Sequence, residues 1–251
     1  MVSDVFVPFL GLFGLAIGSF LGAAAHRVPR GESLVRPGSH CPACGHALAF
    51  WENVPLLSYL LLRGRCSACG IRITLRYPAM EALTGLLFAA AAARFGPTPE
   101  LAPALLMISI LILVSFIDLE RRIIPNKIVL PGIAAGLALT LLAYPDTPLR
   151  PFVGIVAGGG LFFLLAVIKP AGLGGGDVKL AAFLGVFLGS AVLLALFVGV
   201  MAGAVVGVAL MVLGIKGRKD PIPFGPFLSI GGLVALLGGP EIIRWYLGLG
   251  G

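Results

Sequence analysis

The sequence predicts an all-α, polytopic membrane protein with about eight transmembrane helices and a small zinc-binding cytoplasmic domain, and three observations carry that prediction. Of the 251 residues 59% are hydrophobic and only 12% charged, with a mean hydropathy of +1.06, far outside the range of soluble globular chains. Apolar runs long enough to cross a hydrocarbon core, which takes about 20 helical residues, recur along the chain. Between the first two runs lies one polar stretch that holds all four cysteines.

The first apolar run, near 5–25, lacks a basic n-region and an obvious small-residue cleavage site, so residues 1–25 read as a retained first transmembrane helix. Residues 26–78 break the pattern with seven arginines, four cysteines and several turn-forming Pro and Gly residues, and read as the cytoplasmic zinc-binding domain. Residues 79–251 form the membrane-embedded part, with runs near 79–95, 101–118, 127–145, 151–168 and 224–246. The stretch 180–215 has no charge at all; its 36 residues are too many for one crossing and suit two, with Gly189-Ser190 as the turn.

Orientation follows from the basic residues. With the N-terminus outside, segments 26–78, 119–127, 169–179 and 216–220 lie in the cytoplasm and hold 15 of the 18 Lys and Arg, leaving Arg94, Arg150 and Arg244 outside. Eight crossings then return the C-terminus to the outer side. The net charge of +7 is accounted for by this asymmetry, the partner it implies is a lipid bilayer, and no nucleic-acid partner is needed.

The cysteines fall into two pairs, "CPAC" (Cys41, Cys44) and "CSAC" (Cys66, Cys69), with 21 residues between them. Paired thiolates at such spacing close a tetrahedral zinc site. A segment this small buries little core of its own, so a metal clip gives the cysteines a physical reason. Buried reduced thiols and a redox dithiol pair are the alternatives, and a cytosolic location disfavours stable disulfides. His40 and His46 flank the first pair as substitute ligands.

Two acidic residues adjoin apolar spans: Asp118 in "LVSFIDLERRIIPNK" and Asp177 in "GLGGGDVKL", where Gly172, Gly174, Gly175 and Gly176 precede it. A charge at bilayer depth costs roughly 2.5–3.5 kcal/mol at a helix centre, so such residues are functional candidates. Two carboxyl groups at the same membrane face can share a proton, because like charges a few ångströms apart do not both ionise cheaply. One then serves as base toward water and the other as acid toward a peptide carbonyl. The glycines, lacking Cβ, let a backbone approach closely. The plainer readings are Asp177 as a helix N-cap and Asp118 as an interfacial ion pair with Arg121 or Arg122. Glu120 and Lys179 read as solvated charges, His26 as interfacial, and Glu81 as a structural hydrogen-bond acceptor.

The runs "GSFLG", "ENVPLLSYL" and "RYPAMEALTG" around the cysteine pairs, then "FIDLERRIIPNKIVLPG" and "GLGGGDVKLAAFLG", together resemble the type IV prepilin peptidases over nearly the whole chain. The resemblance implies a GxGD-type aspartyl peptidase of the cytoplasmic membrane. Such an enzyme cuts the leader of prepilins or type II secretion pseudopilins after a glycine at the cytoplasmic face and N-methylates the new N-terminal residue with S-adenosylmethionine. It implies Asp118 and Asp177 as catalytic aspartates, Gly174, Gly175 and Gly176 as their loop, Cys41, Cys44, Cys66 and Cys69 as zinc ligands, and Gly64 in "RGRC" as a residue of the methylation step. Gly22 stands where the family has asparagine, and Asn126 where an aspartate is common. Two other classes compete: a membrane ion transporter, for which internal repeats with matched broken helices are expected, and a non-enzymatic pilus or secretion assembly protein.

Overall fold

The structure, a computed structural model, describes residues 2–169, 173–217 and 220–248, with side chains from Asp4 onward. Gly172 of the glycine run and positions 218 and 219 of the basic segment 216–220 lie outside the described residues. The chain divides into two units, residues 1–101 and 102–251.

In the first unit α1 (Val2–Arg27) and α3 (Arg76–Phe95) pack against each other along a stripe of glycines on α1. Successive contacts run in opposite chain directions: Gly11 against Ala89, Gly14 against Phe88, Gly18 against Glu81 and Gly22 against Tyr77. The helices are therefore antiparallel. Small residues at helical spacing let two apolar helices approach closely where lipid supplies no hydrophobic drive between them. Gly22 is explained by Tyr77, whose ring would stand 3.0 Å from a methyl group there. Between the two helices the chain is turns, two single 3-10 turns and the short α2 (Leu57–Leu61).

The second unit is a bundle: α4 (Leu101–Arg121), α5 (Asn126–Ala143), α6 (Arg150–Ile155) running through a π-helical turn at Val156–Gly160 into α7 (Leu161–Ile168), α8 (Gly175–Leu188), α9 (Val192–Val212) and α10 (Gly225–Tyr246). Its core centres on Met107, Leu111 and Val114 of α4 and Leu180, Phe183 and Leu184 of α8, all fully buried. Buried residues make up 67% of the apolar part of α4, and eight of the nine residues from Leu180 to Leu188 of α8 are buried, so α4 and α8 together form the centre of the bundle. The carboxyl of Asp118 on α4 is thereby taken into the protein, while Glu120 and Arg121 at the helix end stay exposed.

Among the described residues six segments are long and apolar enough to cross a membrane, where the sequence led to an expectation of about eight. The difference has two sources. One is α3, which carries Arg76, Glu81 and Arg94 and is not among the six. The other is 175–212, which counts once by composition although it is broken by a 3-10 turn at Gly189–Ala191, where Gly189 has φ 58°. The Gly189-Ser190 turn is thus where the sequence placed it. The 14 residues of α8 span about 21 Å at 1.5 Å per residue, less than a hydrocarbon core of about 30 Å. Among the described residues there are no strands, only two isolated antiparallel bridges, His40 with Ala47 and Arg65 with Arg72.

Candidate functional site

Those two bridges frame matching knuckles. In the first, Cys41 N–H donates to the His46 carbonyl and Gly45 N–H to the Cys41 carbonyl, each at 2.9 Å; in the second, Cys66 N–H donates to Ile71 and Gly70 N–H to Cys66, again at 2.9 Å. Gly45 and Gly70 both take the left-handed conformation, at φ 74° and 70°, that closes each turn. The result brings the four Sγ atoms within 4.8 Å of one another, with Cys41–Cys69 and Cys44–Cys66 each at 3.9 Å. Four thiolates about 2.3 Å from a tetrahedral zinc stand about 3.8 Å apart, so this donor set fits the metal. Backbone N–H groups of Cys44 and Ala43 lower the Cys41 thiol to about 7, and those of Cys69 and Ala68 lower Cys66. Cys44, despite the His46 backbone, is pushed up to about 12 by desolvation and the neighbouring thiols. Cys41 and Cys66 are thus the two predisposed to the thiolate a metal requires.

The histidines have other partners. His40 Nδ1 lies 2.9 Å from the Gly38 carbonyl, and His46 Nε2 3.2 Å from Glu52 Oε2. Glu52, 7% exposed, is a residue to which the sequence reading gave no role. It accepts the Ser67 hydroxyl from the second knuckle, the Ala49 N–H at 2.7 Å and His46 from the first knuckle. Those bonds, Ser67 foremost and then Ala49, hold its carboxyl below the ordinary 4.5. One carboxylate therefore ties both knuckles together. Gly64, at φ 64°, lies against Tyr59, whose ring would stand 2.7 Å from a methyl group there.

Glu81, expected as a structural acceptor, takes the Leu56 N–H at 2.8 Å, at a residue whose φ is 59°.

In the second unit Asp118 sits near the end of α4 and is 5% exposed. Its carboxyl accepts the N–H of Gly225, the first residue of α10, at 2.9 Å. No ion pair with Arg121 or Arg122 forms among the described residues; Arg122, at φ 55°, donates its N–H to the Asp118 carbonyl at 2.8 Å and ends the helix. Asp177 is the third residue of α8 and not its N-cap, which is Gly174. Its Oδ2 accepts the Gly174 N–H at 3.0 Å, closing the first turn on itself. α4 and α8 share the core, Gly176 beside Asp177 packs on Ile124 just past the end of α4, and Asp177 lies within electrostatic reach of Asp118.

The glycines before Asp177 differ in their surroundings. Gly176 packs on Ile124, 3.0 Å from where its Cβ would be, a Cβ on Gly174 would lie 3.3 Å from Asp177 Oδ2, and Gly175 faces open space. Lys179, read from sequence as a solvated charge, donates to Asn126 Oδ1 at 2.8 Å and so joins the second turn of α8 to the first residue of α5. Gly225 escaped the sequence reading, although glycine followed by proline at the start of the last span was a visible helix-start signal.

Residues 12–95 match the bacterial peptidase A24 N-terminal domain, and residues 105–208 the type IV leader peptidase family. Among curated proteins named prepilin leader peptidase/N-methyltransferase, that of Bacillus subtilis is 39% identical over 96% of this chain and 98% of its own length. That of Pseudomonas aeruginosa is 37% identical over 96% of this chain and 93% of its own. That of Myxococcus xanthus is 46% identical over 73% of this chain and 56% of its own length. No solved structure matches the chain.

Proposed function

The chain belongs to the type IV leader peptidase family, and on that footing we propose that it removes the leader of prepilins or pseudopilins with Asp118 and Asp177 as the catalytic pair. It is an enzyme of the peptidase and N-methyltransferase class, as its relatives are named, and a multi-pass protein of the inner membrane. The observation that supports the assignment of residues is that α4 and α8 hold these two carboxyl groups within electrostatic reach, each accepting one backbone N–H.

The chemistry needs one proton between them. The ionised member takes a proton from water as the water attacks the peptide carbonyl; the protonated member polarises that carbonyl and then donates to the leaving nitrogen. Gly175, with open space beside it, leaves room for the substrate strand at the pair. The distribution of basic residues supports a topology with this site and the segment 26–78 at the cytoplasmic face and both termini outside. A prepilin fits such a site because its leader is cytosolic while its apolar helix lies in the bilayer.

Residues 1–25 serve as the first span, 26–78 as the zinc-binding, methylation-associated domain and 79–251 as the peptidase domain. Zinc held by Cys41, Cys44, Cys66 and Cys69 supplies a structural cross-link and no reacting group. S-adenosylmethionine is the methyl donor that the relatives' name implies. The space at Gly64 is filled by Tyr59, so its part in methylation is to let Tyr59 pack within the cysteine-bearing segment. A transporter or assembly role has no support from the relatives, which are named for two enzymatic activities.

The test is purified protein in detergent with a prepilin carrying a basic leader, a glycine and an apolar helix, followed by mass determination. Loss of the leader, and gain of one methyl group when S-adenosylmethionine is added, is the expected product. An intact substrate overturns the peptidase assignment.

A further inference from the structure

The donor to Asp118 comes from 107 residues away, and its setting explains a glycine that the backbone does not require. Gly225 opens α10, so its N–H is one of the helix's donors without an internal acceptor, and Pro226 behind it has none to give. The partial positive end of α10 thus faces the carboxyl group. That end is wedged in place. The Ser229 hydroxyl donates to the Gly225 carbonyl at 2.9 Å and reaches the Leu111 carbonyl of α4 at 3.4 Å. Gly231 lies so close to the Ala195 carbonyl of α9 that a methyl group would overlap it, and one on Gly232 would stand 3.2 Å from Leu111 and Met107.

Gly225 itself is helical, a conformation any residue adopts. Its lack of a side chain answers to Asp118 instead: a methyl group there would lie 2.8 Å from Oδ2 and 3.2 Å from Cγ of that residue.

Resting on the peptidase reading above, we propose that Gly225 is a positioning residue for cleavage: its N–H occupies Oδ2 of Asp118, and its missing side chain lets the carboxyl keep that orientation, which leaves Oδ1 as the oxygen to meet the attacking water. Gly225 touches neither substrate nor water and acts only through Asp118. A reacting group misplaced by about 1 Å costs on the order of 100-fold in rate, which sets the scale of the effect.

The experiment compares four proteins with the wild type on the prepilin substrate: Asp118→Asn, Gly225→Ala, Gly238→Ala, and a chain with an ester in place of the Phe224–Gly225 amide. The ester removes the N–H without adding an atom, so it decides the matter should Gly225→Ala fail to fold. Gly238→Ala is the control within α10, where a methyl group meets only Ile242 at 3.8 Å. Expected are a kcat about 100-fold lower for Gly225→Ala and about 10-fold lower for the ester. In both, KM stays near the wild-type value and the pH–rate profile moves, while Gly238→Ala matches the wild type. A lost folding contact would change yield and thermal stability and leave the pH profile where it was. Wild-type kinetics for the ester or for Gly225→Ala, with Asp118→Asn inactive, overturn the positioning role and leave the peptidase reading standing. A wild-type protein that does not cut the substrate overturns both.

Discussion

Gly154 and Gly185 meet backbone to backbone: a methyl group on either would overlap the carbonyl of the other. α6 and α8 therefore cross with no side chain between them, eight residues beyond Asp177. Because Asp177 lies in the first turn of α8, this crossing sets where along its axis the helix rests. The position of the carboxyl group relative to α4 follows.

Gly185→Ala should show which influence dominates there. Helix propensity alone favours alanine by about 0.5–1 kcal/mol, but the overlap with Gly154 costs more, on the order of 1–3 kcal/mol. A lower thermal midpoint in detergent and weakened cleavage are expected. The same change at Gly238, whose methyl group would touch only Ile242, should leave cleavage unchanged and the midpoint equal or slightly higher. Equal midpoints for the two variants would mean that the crossing does not constrain α8.

Asp118→Asn and Asp177→Asn should each lower cleavage by about 100- to 10,000-fold while the protein still inserts and keeps its thermal midpoint. The amide replaces neither the base nor the acid. Because the two groups act as one unit, the double variant should be no worse than either single one. Substantial cleavage by a single variant would remove the proposed mechanism.

Acid sensitivity should reside in part at Glu52. Its carboxyl is held below the ordinary 4.5, by Ser67 first and the Ala49 N–H next. A depressed carboxyl contributes stability that is present above the unfolded value and lost as pH falls through the folded one. The cysteine-bearing segment should therefore weaken below about pH 4.5, and Glu52→Gln should already be weakened at neutral pH with less further loss in acid. Trp51 fluorescence, followed across the acid range in both proteins, reads the difference. Identical acid profiles would show that the Glu52 link contributes nothing.

Serine in place of Cys41, Cys44, Cys66 or Cys69 should lose zinc and reduce methylation more than cleavage, because thiolates and aspartates occupy separate units. Metal analysis with both activity assays checks this. Wild-type protein free of zinc, or a four-serine protein with full metal content, would end the ligand assignment.

Much of this protein is decided by chemistry that is local along the chain. Long apolar runs dictate membrane helices because the bilayer leaves the backbone few other ways to satisfy its polar groups. The charge-free stretch 180–215 breaks at Gly189 because a left-handed residue ends a helix wherever it falls. Each CxxC knuckle brings its own two sulfurs together because its turn is closed within a few residues. The contacts that aim the groups were settled only in three dimensions: Gly225 on Asp118, Glu52 across both knuckles, Gly154 against Gly185, Lys179 on Asn126. In a soluble helix the apolar face announces the partner, but here lipid-facing and helix-facing positions are alike apolar. Periodicity therefore does not say which face packs, and close approach is decided by where small residues on two helices happen to coincide.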